Sequence, residues 1–132
     1  MINLDYQSRV PIYEQIVQTI ERYVALGILK PEEQIPSIRD MAAELGINPN
    51  TVKKAYSILE QKGVIVTLST KGTFIANKTE DVLKNTIESK INLIKKLINE
   101  IEKYGVSKQD ILEKISKWFY KINLNYKTNQ IK

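Results

Sequence analysis

Cysteine and histidine are both absent from the 132 residues. Their absence removes thiol nucleophiles, disulfides, imidazole bases and the usual zinc ligands together. Chemistry would rest on carboxylates, hydroxyls and lysines alone, so no metal and no cofactor is expected. A glycine- and lysine-containing phosphate loop and a paired-carboxylate motif are lacking as well, which argues against an enzyme. Long apolar runs are also missing. No stretch approaches the roughly 18 residues that span a bilayer, and Met1-Ile2-Asn3-Leu4-Asp5 has neither the basic nor the apolar region of a leader. A cytoplasmic location with no membrane attachment is the expectation.

What is present suits one compact domain, or one small domain with an appended oligomerisation element. Hydrophobic residues make up 42% and charged residues 27%, the balance of a chain that folds rather than one that stays disordered. A net charge of +5 favours polyanionic partners only weakly when spread over the whole chain. Its distribution is more informative: between residues 48 and 78, Lys53, Lys54, Lys62, Lys71 and Lys78 stand against Glu60 alone. Taken by itself, such a segment is better read as a solvated lysine face.

Glycine and proline are few, five and four, and they punctuate the chain. From Pro11 to Gly27, the apolar residues Ile12, Ile16, Val17, Ile20, Val24 and Leu26 largely follow helical spacing. Residues 29–36 contain two prolines and read as a loop that ends extended before Pro36. Ser37, with Asp40 three positions on, opens a short second helix closed by Gly46. Asn48-Pro49 restarts the chain at once, since Asn caps and Pro suits the first helical position. This third helix runs to about Lys62, with Val52, Ala55, Tyr56 and Leu59 on its apolar side and Asn50, Lys53, Lys54 and Ser57 opposite. Val64–Leu68 and Thr73–Ala76 are β-branched runs separated by Ser69-Thr70-Lys71-Gly72, a predicted hairpin. Beyond Lys78 comes a long helical pattern with Leu83, Ile87, Ile91, Ile94, Leu97, Ile98, Ile101 and Tyr104 along one stripe near a seven-residue period. After Gly105, Ser107 and Asp110 resemble another cap, and Ile111, Leu112, Ile115, Trp118, Phe119 and Ile122 mark a last helix, with the tail from Asn123 expected to fray.

Two short helices joined by Gly46-Ile47-Asn48 and followed by a hairpin have the order of a winged helix-turn-helix. Here the residues resemble a known family. Pro11-Ile12-Tyr13-Glu14-Gln15, Ile35-Pro36-Ser37-Ile38-Arg39-Asp40-Met41-Ala42, Gly46-Ile47-Asn48-Pro49-Asn50-Thr51-Val52 and Lys71-Gly72-Thr73-Phe74 look like the DNA-binding domain of GntR-family regulators, over about residues 10–78. The two helices that follow are similar to the YtrA-type subfamily, typically dimeric repressors. Their caps are read as a natural end of the chain rather than the stump of a longer regulator.

The resemblance implies an α+β, mainly α fold with a winged helix-turn-helix at 1–78 and a two-helix dimerisation element at 79–132. It implies a homodimeric repressor on an inverted repeat of double-stranded DNA; the signal that would weaken binding is left open, an unidentified small-molecule effector being one candidate. Carried over position by position, Arg39 would contact phosphate, Asn50, Thr51 and Lys53 would lie at the major groove, and Lys71 and Gly72 would approach the backbone from the wing. Pro49 departs from the family, where a basic residue is common.

Other readings stay open. Arg39 would otherwise pair with Glu44 or cap its own helix. Asn48 is read as a cap, Lys54 and Ser57 as DNA contacts or plain solvent-facing residues, and Tyr13 and Tyr23 as packing residues. Ile87, Ile91, Ile94, Leu97, Ile98, Ile101, Trp118 and Phe119 are candidate dimer contacts. An intrachain core is the alternative for the stripe, and an effector site for the two aromatics. A winged helix that docks on protein is the competing function; it would tolerate acidic residues where Lys53, Lys54 and Lys71 stand.

Overall fold

The computed structural model of the protein describes residues 2–131, with side chains described over residues 2–121. Its elements run α1 (Ile12–Ala25), β1 (Gln34–Ile35), α2 (Ile38–Leu45), α3 (Pro49–Lys62), β2 (Ile65–Leu68), β3 (Gly72–Ile75), α4 (Glu80–Glu102) and α5 (Lys108–Ile131). The fold is α+β and mainly helical. Two compact units are present, Met1–Thr86 and Ile87–Lys132.

In the first unit, the periodic apolar residues read from sequence meet in one core. Ile16 and Ile20 of α1, Val52, Ala55 and Leu59 of α3, Met41 and Ala42 of α2, and Val64 and Ile75 of the hairpin are all buried. Ile2 is buried with them, so the amino-terminal segment is part of the unit. Gln15 ties that segment down: its carbonyl oxygen accepts from Asp5 N at 2.9 Å, and its amide donates to the carbonyls of Asp5 and Val10 at 2.8 Å each. The unit extends past residue 78 because Val82 and Leu83, in the first turn of α4, pack against the core.

The sheet has three strands rather than the expected two. Its order is β1-β3-β2, all antiparallel, with Ile35 opposite Thr73 and Gln34 opposite Phe74. A strand of two residues is too short for periodicity to reveal, and the adjoining Pro36 reads as loop.

The second unit holds the remainder of α4 and α5, with Ile111 buried. Ser107 Oγ accepts from Asp110 N at 3.1 Å, the expected cap. The backbone of α5 continues to Ile131 instead of ending near Asn123, because no glycine or proline follows Gly105 to stop it. The side chain of Ile122 lies outside the described residues.

A buried tyrosine joins the second and third helices to the strand before them. Tyr56 of α3 donates its hydroxyl to the carbonyl of Pro36 at 2.7 Å, and burial, followed by the charge of Glu44, holds its pKa well above the ordinary 10.0. The folded state therefore keeps this proton more tightly than the unfolded chain, so its contribution is complete below pH 10.0 and is lost as pH rises further. Tyr56→Phe is expected to cost about 1–2 kcal/mol by urea denaturation at neutral pH. It should also soften the decline of stability in alkali.

Candidate nucleic-acid interface

Local capping sets the angle between α2 and α3. Ser37 Oγ accepts from Asp40 N at 3.1 Å and donates to the Asp40 carboxylate at 2.8 Å, starting α2. Gly46 ends it in the left-handed region at φ 66°, and Ile47 N returns to the Ala42 carbonyl at 3.0 Å. Asn48 Oδ1 then accepts from Asn50 N at 2.8 Å, with Pro49 already in the first position of α3. Asn48 is thus a cap, as its sequence position implied. Only three residues separate the helices, too few for the second to lie along the first.

Burying Val52, Ala55, Tyr56 and Leu59 turns the opposite side of α3 to solvent, where Asn50, Lys53, Lys54 and Ser57 are exposed and Thr51 is half-buried. Arg39 is exposed in the first turn of α2. Among the described residues the one ion pair joins Lys62 to Glu21 at 3.0 Å, so Arg39 is not bound to Glu44. Charge on α3 is thereby sorted along its length. Lys62, at the C-terminal end, is spent on the buried Glu21, and Glu60 accepts a hydrogen bond from the Thr67 hydroxyl. The N-terminal half, with Lys53 and Lys54, carries positive charge without an acidic neighbour in ion-pair range among the described residues.

Lys54 has a partner that the sequence did not disclose. Its Nζ lies 3.9 Å from the centroid of the Tyr13 ring, a cation–π contact between the first turn of α1 and α3. The Tyr13 hydroxyl donates to Glu14, and this bond, ahead of burial and the Glu14 charge, raises its pKa, so the ring stays neutral. Tyr13 packs as expected, yet it also restrains a candidate contact residue; an aromatic in the first turn of α1 gave no cue to that pairing.

The wing carries Lys71 exposed at its tip, where Lys71 N bonds back to the Leu68 carbonyl at 3.0 Å. Thr70 has φ 68° and Gly72 φ 122°, so two residues of the tip occupy positive-φ backbone. At Gly72 an added Cβ would also stand 2.5 Å from Gln34 Nε2. Glycine is required there by the protein's own backbone and neighbour, in addition to any approach to DNA.

In α4 no residue is buried. Ile87, Ile91, Ile94 and Leu97 each leave half or more of their surface exposed, Ile101 is exposed at 42% and Ile98 is half-buried. Ile94, Leu97, Ile98 and Ile101 line one wall of an apolar groove of about 380 Å³, with Ile111 and Ile115 on the other. Trp118 and Phe119, ring centroids 5.3 Å apart, are exposed as well, so neither fills a core within the described residues. No cluster of acidic residues able to hold a metal occurs among the described residues, nor any helix long and apolar enough to cross a membrane.

Comparison with known proteins gives one answer. A family model described as bacterial regulatory proteins of the gntR family matches residues 12–75. The chain is 39% identical over 131 residues to the HTH-type transcriptional repressor YtrA of Bacillus subtilis (strain 168), covering 96% of this chain and 95% of that one. Among solved structures it is similar to a transcriptional regulator from Oenococcus oeni, with a TM-score of 0.71, 34% identity, and coverage of 90% and 99%. It is similar also to a chain from Listeria monocytogenes EGD-e titled transcriptional antiterminator, with a TM-score of 0.68, 42% identity and 89% of each chain covered.

The sorting of charge along α3 can be read in salt titrations of duplex binding. Lys53→Ala and Lys71→Ala should each lower the slope of log affinity against log salt by about one. Lys62→Ala should leave the slope unchanged and instead lower thermal stability, because it strands the buried Glu21.

Proposed function

Because this chain belongs to the GntR family of DNA-binding transcriptional regulators, we propose that it acts as a homodimeric repressor on an inverted-repeat operator. The family is one of regulators and not of enzymes. Arg39 anchors phosphate from the first turn of α2, Asn50, Thr51 and Lys53 address base edges in the major groove, and Lys71 and Gly72 meet the backbone from the wing. Lys54 and Ser57 flank that contact. Repression is carried over from the Bacillus relative, a transcriptional repressor, and the cytoplasm, where the chromosome lies, is the place of action.

The observation that carries the dimer is the exposed apolar stripe of α4. A helix of 23 residues with this much apolar surface on one face needs a partner, and a second copy supplies the two-fold axis that pairs two recognition helices. Trp118 and Phe119 are then contacts of the same interface. Two linked half-sites raise affinity by about 10²–10⁴ over one. Lysines at 53, 54 and 71, rather than acidic residues, favour DNA over a protein surface.

Fluorescence anisotropy with the protein's own upstream duplex and a scrambled one, alongside sedimentation equilibrium, tests this reading. The wild type should be dimeric and prefer the upstream duplex; Ile94→Glu with Leu97→Glu should give a monomer whose affinity falls by at least about 100-fold. Equal weak binding to both duplexes, unchanged in Arg39→Ala and Lys53→Ala, would sink the operator reading. A wild-type monomer with full affinity would sink the dimer.

A further inference from the structure

We propose that Gln34 is a positioning residue for the wing: its side-chain amide holds the backbone of the tip so that Lys71 is presented to DNA in one arrangement. Gln34 Nε2 donates to the Lys71 carbonyl at 3.3 Å, across 37 residues of sequence. The same nitrogen lies where a Cβ on residue 72 would point, 2.5 Å from that position. The amide is thus laid against Gly72 and bonded to the peptide before it.

The two ends of this contact differ in how well they are fixed. Gln34 sits on β1, paired with Phe74 of β3. Its neighbour Ile35 is buried, and the next residue, Pro36, accepts the Tyr56 hydroxyl bond. That end is therefore anchored to the core. The tip is not. Ser69, Thr70 and Lys71 are exposed, and the backbone there includes a non-glycine residue at φ 68°, a conformation that an isolated threonine disfavours. Besides the turn bond from Lys71 N, the amide of Gln34 is what holds the tip carbonyl. One residue after Pro36 comes Ser37, the cap of α2, and Arg39 follows in its first turn. Gln34 accordingly couples the wing to the segment that presents Arg39.

An exposed amide–carbonyl bond adds little to global stability, since water replaces it readily. Its effect falls on binding, where a tip already ordered loses less freedom on meeting phosphate. The inference rests on the reading of Lys71 as a DNA contact. It asks of Gln34 no contact with DNA.

The test compares Gln34→Met, which is neutral and of similar length but lacks the donor, and Gln34→Ala with the wild type, each also in a Lys71→Ala background. In the Lys71 background that retains the lysine, both variants should bind the upstream duplex roughly three- to ten-fold more weakly. Their thermal midpoints should match the wild type, while amide exchange at Thr70, Lys71 and Gly72 should accelerate. In Lys71→Ala protein, a change at Gln34 should make no further difference. If the Gln34 variants weaken binding by the same factor without Lys71, Gln34 touches DNA itself and the positioning role is overturned. Should Lys71→Ala weaken binding while the Gln34 variants bind as wild type, the positioning role alone fails. Wild-type affinity in Lys71→Ala overturns the wing contact and the coupling together.

Discussion

The burial of one side of α3 is the constraint on which the rest of this structure depends. Val52, Ala55, Tyr56 and Leu59 enter a core shared with Ile16 and Ile20 of α1 and with Val64 and Ile75 of the hairpin. Close packing in that core leaves the helix no freedom to rotate. Asn50, Lys53 and Ser57 must then face water. The polar, basic face of α3 arises here as the remainder after the core has been satisfied. It does not require polar residues to be placed against any physical preference.

Several polar contacts refine that surface without building it. The Tyr56 hydroxyl fixes Pro36, the Lys62–Glu21 pair removes one cation from the C-terminal end of α3, and the Tyr13 ring restrains Lys54 near its N-terminal end. Their combined result is electrostatic. Unneutralised positive charge stays on the half of α3 that begins with the capped turn, at the positive end of the helix dipole. The wing adds Lys71 on a tip whose backbone is held by Gln34.

The second unit obeys a different constraint. Its helices bury Ile111 but leave most of the α4 stripe, Trp118 and Phe119 exposed, so these side chains complete no core among the described residues. Apolar area of this kind is costly in water. Under the proposed dimer, an interface between copies would remove that cost and set two α3 helices on a common axis.

From the sequence alone, the helices of the first unit, their caps and the hairpin were legible, because Ser37, Gly46 and Asn48-Pro49 act through local geometry that a few neighbouring residues determine. The apolar stripe of α4 was legible for the same reason, since 3.6-residue periodicity is a property of one segment. What only the tertiary structure decided are the relations between segments distant in sequence. Gln34 joins β3 as a third strand and reaches Lys71, Tyr13 meets Lys54, Glu21 takes Lys62, and Val82 and Leu83 extend the first core into α4. None of these partners carries a local signature. Each pairing follows from where the folded backbone brings two side chains together, and that information is distributed over the whole core rather than written at either residue.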